Sequence, residues 1–141
     1  MNSLHRRVWS RSRLRRGAVM FEFAIVLPIF LLAMIGIIEF GRAIMVQQIL
    51  VNASREGARQ AVLDGATSAD VVNTVSDYLQ GSSVDTAQDN ITVSPDPTGV
   101  RSREEITVSV SVPFSEVSWM TPFIYKGNLQ ASATMRSEKL E

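Results

Sequence analysis

From Ala18 to Ile38 the chain runs for 21 residues with a single charged side chain, Glu22. As a helix this segment is about 31 Å long at about 1.5 Å per residue, enough to cross a bilayer with about 30 Å of hydrocarbon. Lipid offers no hydrogen-bond partners, so a lone span must satisfy its backbone internally and is expected to be helical. No second run of this kind appears in the sequence, and one crossing is expected.

The 14 basic and 14 acidic residues cancel overall, but they are not mixed. Arg6, Arg7, Arg11, Arg13, Arg15 and Arg16 all fall in residues 1–17, which contain no acid. Residues 18–141 therefore hold eight basic residues against 14 acidic ones, a net charge of about −6. Attraction to phosphates is not expected of an acidic region, which argues against a nucleic-acid partner. The arginines instead suit a flexible leader held on the cytoplasmic side by the positive-inside bias and by anionic lipid.

There is no cysteine, and the one histidine, His5, lies in the leader. Disulfides, thiolate metal sites, histidine clusters and Ser-His-Asp arrangements are thus excluded from the folded region, and no cofactor or metal is expected. Glu104-Glu105 alternates across an expected strand, and Asp85 with Asp89 sits in an expected loop without a ligand-rich pattern. Neither pair suits acid/base or metal chemistry, so the chain is not expected to be an enzyme.

Three readings compete for the junction of leader and apolar segment. A secretory signal has an apolar core of about 7 to 15 residues followed by a cleavage site and a change of pattern. Here the apolar run is longer, and helix-compatible sequence continues beyond it. A plain signal anchor explains length and orientation but gives Glu22 no role. A prepilin-type leader, cut on the cytoplasmic side between the basic region and the apolar helix, accounts for Gly17, Glu22 and the length together. A small residue lets a protease approach the backbone closely. Cleavage would create an amine at Ala18, one helical turn from the Glu22 carboxylate, whose burial in hydrocarbon is costly without a partner. The bland alternative is an acid that complements the dipole of a first helical turn.

Beyond the span, Val46, Leu50, Ala53, Gly57 and Ala61 recur at three- and four-residue intervals among Gln47, Asn52, Arg55, Glu56 and Arg59. This spacing predicts an amphipathic continuation of the helix over residues 39–63, with Asp64-Gly65 as its stop. Pro28 is expected to kink the helix near residues 24–28. Glu39 with Arg42, and Arg55, Glu56 and Arg59 on one helical side, are either solvated charges or partner contacts.

Residues 64–141 are expected to form a small extracytoplasmic α+β region. Thr67-Ser68 caps a short helix over Ala69–Leu79, with Val71, Val72, Val75, Tyr78 and Leu79 on one side and Gly81 at its close. Asn90–Ser94, Glu104–Val112 and Asn128–Arg136 alternate polar and apolar residues as half-buried strands. Pro95, Asp96, Pro97 and Gly99 suit a turn between the first two, giving an antiparallel pair. Pro113–Gly127, with Phe114, Trp119, Met120, Phe123, Ile124 and Tyr125, reads as a loop pinned by aromatics. A region of this size cannot bury a generous core alone, so the sheet is expected to pack on the amphipathic half of the long helix.

Arg15-Arg16-Gly17-Ala18-Val19-Met20-Phe21-Glu22-Phe23-Ala24, Leu27-Pro28, Glu39-Phe40-Gly41-Arg42 and Ala53-Ser54-Arg55-Glu56-Gly57-Ala58-Arg59 closely resemble the TadE-like family, pseudopilins of the tight-adherence (Flp pilus) machinery. The resemblance is strong from about residue 12 to residue 63 and loose in the C-terminal third. It implies a pilin-like fold and a precursor cut by a prepilin peptidase between Gly17 and Ala18, with Glu22 and Phe23 serving assembly. Phe23 stands where the major pilins of this system usually carry tyrosine, which implies a minor pseudopilin. Other pseudopilins and inner-membrane assembly proteins are the implied partners, and Glu39, Arg42, Arg55, Glu56 and Arg59 the implied contacts. The competing reading is an uncleaved single-pass envelope protein whose C-terminal sheet binds a partner or ligand.

Overall fold

The computed structural model describes residues 11–82, 84, 88–101, 103–118 and 127–137. The chain divides into two compact units, Met1–Ile38 and Glu39–Glu141. The first ten residues of the expected leader and the aromatic stretch Trp119–Tyr125 lie outside the described residues, as do Asp85 and the side chain of Asp89.

Helix α1 is assigned over Arg11–Ala61 and contributes to both units. Its start differs from the expected flexible leader, because residues 11–17 are helical. Arginine and leucine are good helix formers, and Gly17 alone does not end a helix once the turns on either side are in place. Pro28 lies within the element without interrupting its assignment. Every residue from Gly17 to Ile38 is exposed, including Phe21, Phe23, Phe30 and Ile37. A helix apolar nearly all round, with nothing among the described residues packed on it, is suited to hydrocarbon rather than water.

In the second unit, the part of α1 from Glu39 onward buries Val46, Leu50, Ala53, Ser54, Gly57, Ala58 and Ala61. The stripe follows the helical period, but from Ala53 on it consists only of small residues. Gly57 shows why. A Cβ built there would lie 2.5 Å from Val75 Cγ2 and 3.1 Å from Val108 Cγ1. Helix, second helix and sheet meet at this point, and they can do so only because residue 57 has no side chain. The Ser54 hydroxyl satisfies itself by donating to the Val51 carbonyl at 2.9 Å.

After a turn in which Gly65 takes a positive φ of 74°, helix α2 spans Ser68–Gly81. Its start is a reciprocal capping box. The Asp70 N–H donates to Thr67 Oγ1 at 3.2 Å, and the Thr67 N–H donates to Asp70 Oδ2 at 3.1 Å. Val71, Val75, Ser76 and Leu79 are buried. Tyr78, expected on the buried side, is instead exposed, because its position lies one step beyond the stripe set by Val71, Val75 and Leu79.

The sheet has strands β1 (Ile91–Ser94) and β2 (Glu105–Pro113) and, after the short helix α3 (Phe114–Val117), β3 (Asn128–Arg136). Their spatial order is β1-β2-β3, antiparallel throughout, with Val93 opposite Val108 and Val108 opposite Ala133. On β2 the side chains of Ile106, Val108, Val110 and Val112 are fully buried, while Thr107, Ser109 and Ser111 are half-buried on the other face. The two-residue alternation thus splits the strand into a core face and a hydroxyl face. Asp96 caps the 3-10 turn Pro97–Gly99 between β1 and β2 by accepting from the Thr98 N–H at 3.0 Å. The expected loop after β2 begins instead with α3, which buries Val117.

The core joins α1, α2 and the inner faces of all three strands. A long N-terminal helix packed on a small antiparallel sheet is the α+β architecture expected. The sheet has a second cover, however, since α2 lies against β1 and shares the work expected of α1 alone.

Candidate functional site

The residues expected to act in processing and assembly lie on the first unit's part of α1. Gly17, Ala18, Glu22 and Phe23 are all exposed, and the space where a Gly17 Cβ would stand is open to 4 Å. Ala18 and Glu22 are four residues apart on one helix, which places them on the same face one turn apart. Among the described residues, no hydrogen bond or ion pair satisfies the Glu22 carboxylate. The chemistry available here is that of one acid among apolar side chains, which inside a bilayer would favour pairing with a cation.

The second group lies on the next unit's part of α1. Glu39 accepts a hydrogen bond from the Ser118 hydroxyl just after α3, so this acid is tied to the folded region 79 residues downstream. Sequence spacing had set Glu39 against Arg42, and nothing local could have pointed to Ser118. Arg42 is half-buried and lines a cavity of about 220 Å³ with Met45, Val46, Ser82, Val84, Glu116 and Val117. Its lining combines one cation, one carboxylate, one hydroxyl and apolar walls. Three separate stretches of chain build it, and such a site is invisible to spacing alone.

Farther along, Arg59 Nη1 sits 3.7 Å from Glu56 Oε2, with both side chains substantially exposed. A pair this open contributes little to stability. Arg55 is exposed as well. The structure therefore does not unite the expected contact residues: Glu39 and Arg42 belong to the α3 end of the unit, and Arg55, Glu56 and Arg59 form a solvated patch near the end of α1. Among the described residues, no group of three or more His, Cys, Asp or Glu side chains is arranged to hold a metal.

The comparison with known families falls on the element that carries these groups. Residues 17–59 match the model of the TadE-like protein family. The matched stretch opens at Gly17 and closes at Arg59, two residues before α1 ends. It takes in the exposed apolar helix, Glu22, the Glu39–Arg42 turn and Gly57, and it leaves out α2 and the sheet. No curated protein and no solved structure matches the chain.

An apolar helix of this length near the N-terminus, none of it buried, fits a single-pass membrane protein.

Proposed function

We propose that the protein is a membrane-anchored minor pseudopilin that a prepilin peptidase cuts between Gly17 and Ala18, and that it assists assembly of tight-adherence pili for surface attachment. The observation that carries this reading is the position of Gly17. It stands exposed at the opening of the TadE-like match, immediately before an unburied apolar helix whose one acid lies one turn past Ala18. In this reading the N-terminus is cytoplasmic, residues 39–141 are extracytoplasmic, and the protein performs no catalysis.

Hydrolysis of the Gly17–Ala18 amide leaves a carboxylate on Gly17 and a protonated amine on Ala18. Residues 11–61 are helical, so a peptidase that binds extended backbone must first unwind the helix at the scissile bond. Glycine is among the weakest helix formers, and Gly17 is where unwinding costs least. Once formed, the ammonium of one subunit can pair with the Glu22 carboxylate of its own or an adjacent subunit. Each charge is expensive alone in hydrocarbon, and the pair favours ordered packing of helices over free diffusion.

Co-expression with a prepilin peptidase, followed by mass analysis of the N-terminus, tests the reading. A mature chain starting at Ala18 is expected. An intact Met1 start, or a cut beyond residue 38, would overturn it and leave an uncleaved single-pass envelope protein.

A further inference from the structure

The two edges of the sheet are unequal. At the two ends of β3, Ser137 donates its N–H to the Glu104 carbonyl at 2.8 Å and accepts from the Arg103 N–H at 2.7 Å, and the Gly127 carbonyl accepts from the Phe114 N–H at 3.0 Å. The odd-numbered residues of the strand therefore turn their backbone groups towards β2. Antiparallel pairing alternates strictly, so Asn128, Gln130, Ser132, Thr134 and Arg136 turn theirs away. The Gln130 carbonyl confirms this by accepting from Gln47 Nε2 of α1 at 2.8 Å. Among the described residues, no other hydrogen bond reaches the outward backbone groups of this edge. The opposite edge, on β1, offers only Ile91 and Val93 and ends at Pro95. It is short and closed by proline, as protected edges usually are, whereas β3 is nine residues long, contains no proline and carries one charge.

We infer that the open edge of β3 is a self-association site, which pairs antiparallel with β3 of a second copy about a two-fold axis through Ser132. The choice of occupant rests on the strand's own pattern. In this register Asn128 faces Arg136, Gln130 faces Thr134 and Ser132 faces its counterpart, and all of these side chains are exposed. Leu129 faces Met135 and Ala131 faces Ala133, and all of these are buried or half-buried. Polar thus meets polar, and core-facing meets core-facing. The five outward residues of each strand also meet the five of the other, so their N–H and C=O groups bond reciprocally. Any other antiparallel register shortens the overlap. Arg136, held 3.6 Å from Glu105 of its own sheet, meets no like charge. The bond from Gln47 is no obstacle, since a carbonyl oxygen has two lone pairs. The two three-stranded sheets become one of six strands, and the interface is isologous, as two-fold symmetry requires.

The chain contains no cysteine, so single thiols report on this geometry directly. Hydrogen-bonded partners in an antiparallel pair have Cα atoms about 5.5 Å apart, within disulfide range. In the purified full chain in detergent micelles, Ser132→Cys is expected to oxidise to a covalent dimer roughly tenfold or more faster than Thr92→Cys, because only the former holds its thiols together. Thr92 is exposed on the same face but on the far strand, so random collisions would cross-link it as readily. Equal rates overturn the proposal. A mixture of Gln130→Cys and Thr134→Cys chains is expected to form the mixed dimer faster than either forms its own. Self-linking as fast as mixing overturns the register, and with it the two-fold. These outcomes do not depend on processing at Gly17, since unprocessed chain serves equally.

Discussion

At the scale of single residues, two positions carry consequences out of proportion to their size. Gly57 is a packing requirement: adding a methyl group places it 2.5 Å from Val75 Cγ2. Overpacking of this kind costs about 1 to 3 kcal/mol, against a gain of about 1 kcal/mol from the better helix propensity of alanine, so Gly57→Ala is expected to destabilise by up to roughly 2 kcal/mol. Thermal or urea unfolding of the full chain in detergent reads this out. The same substitution made together with Val75→Ala should cost less than it does alone, because the clashing methyl is gone and the two sites are in contact. Glu22 is the opposite case, an exposed residue that no hydrogen bond or ion pair holds among the described residues. Glu22→Ala is expected to leave N-terminal cleavage largely intact while reducing pilus assembly, as counted by piliation of cells carrying the variant. Normal piliation would remove the role given to the carboxylate. Both residues lie in legible motifs, but the sequence marks Gly57 only as one more position on a helical stripe. That its missing side chain is what lets three elements touch depends on where α2 and β2 arrive.

At the scale of elements, the capping box at the start of α2 is a local device with a pH signature. Hydrogen bonds from the Thr67 hydroxyl and backbone N–H hold the Asp70 carboxyl below its ordinary value of 3.8. A depressed carboxyl contributes its stability above the unfolded value and loses it as pH falls through the folded one. Wild type is therefore expected to exceed Asp70→Asn in melting temperature at pH 6, and the gap should narrow as pH falls below about 4. Thr67→Ala removes the reciprocal partner and is expected to cost about 1 kcal/mol at neutral pH. The box is readable from Thr67 and Asp70 because it involves residues three apart. The strands were readable for a similar reason, since their two-residue alternation is imposed by the pleat itself. Helix α3 was not readable: four residues are too few to show a period, and Val117 becomes a core residue only through contacts made elsewhere in the fold.

At the scale of the whole molecule, the unburied span and the folded region make different demands on solvent. The full chain is expected to stay with membranes through high-salt and alkaline washes that strip peripheral proteins, and a version lacking residues 18–38 to be released. Fractionation followed by immunoblotting would decide this, and release of the full chain would remove the membrane anchor. The sequence by itself determined the span, the charge asymmetry, the capped helix and the register-ready strands, because each depends on hydrophobic periodicity or on groups a few residues apart. Only the tertiary structure decided what covers the sheet, why residue 57 must be glycine, how Glu39 is tied to Ser118, and which sheet edge is left open. Those depend on contacts between residues far apart in the chain, where nothing in local order records which surfaces will meet.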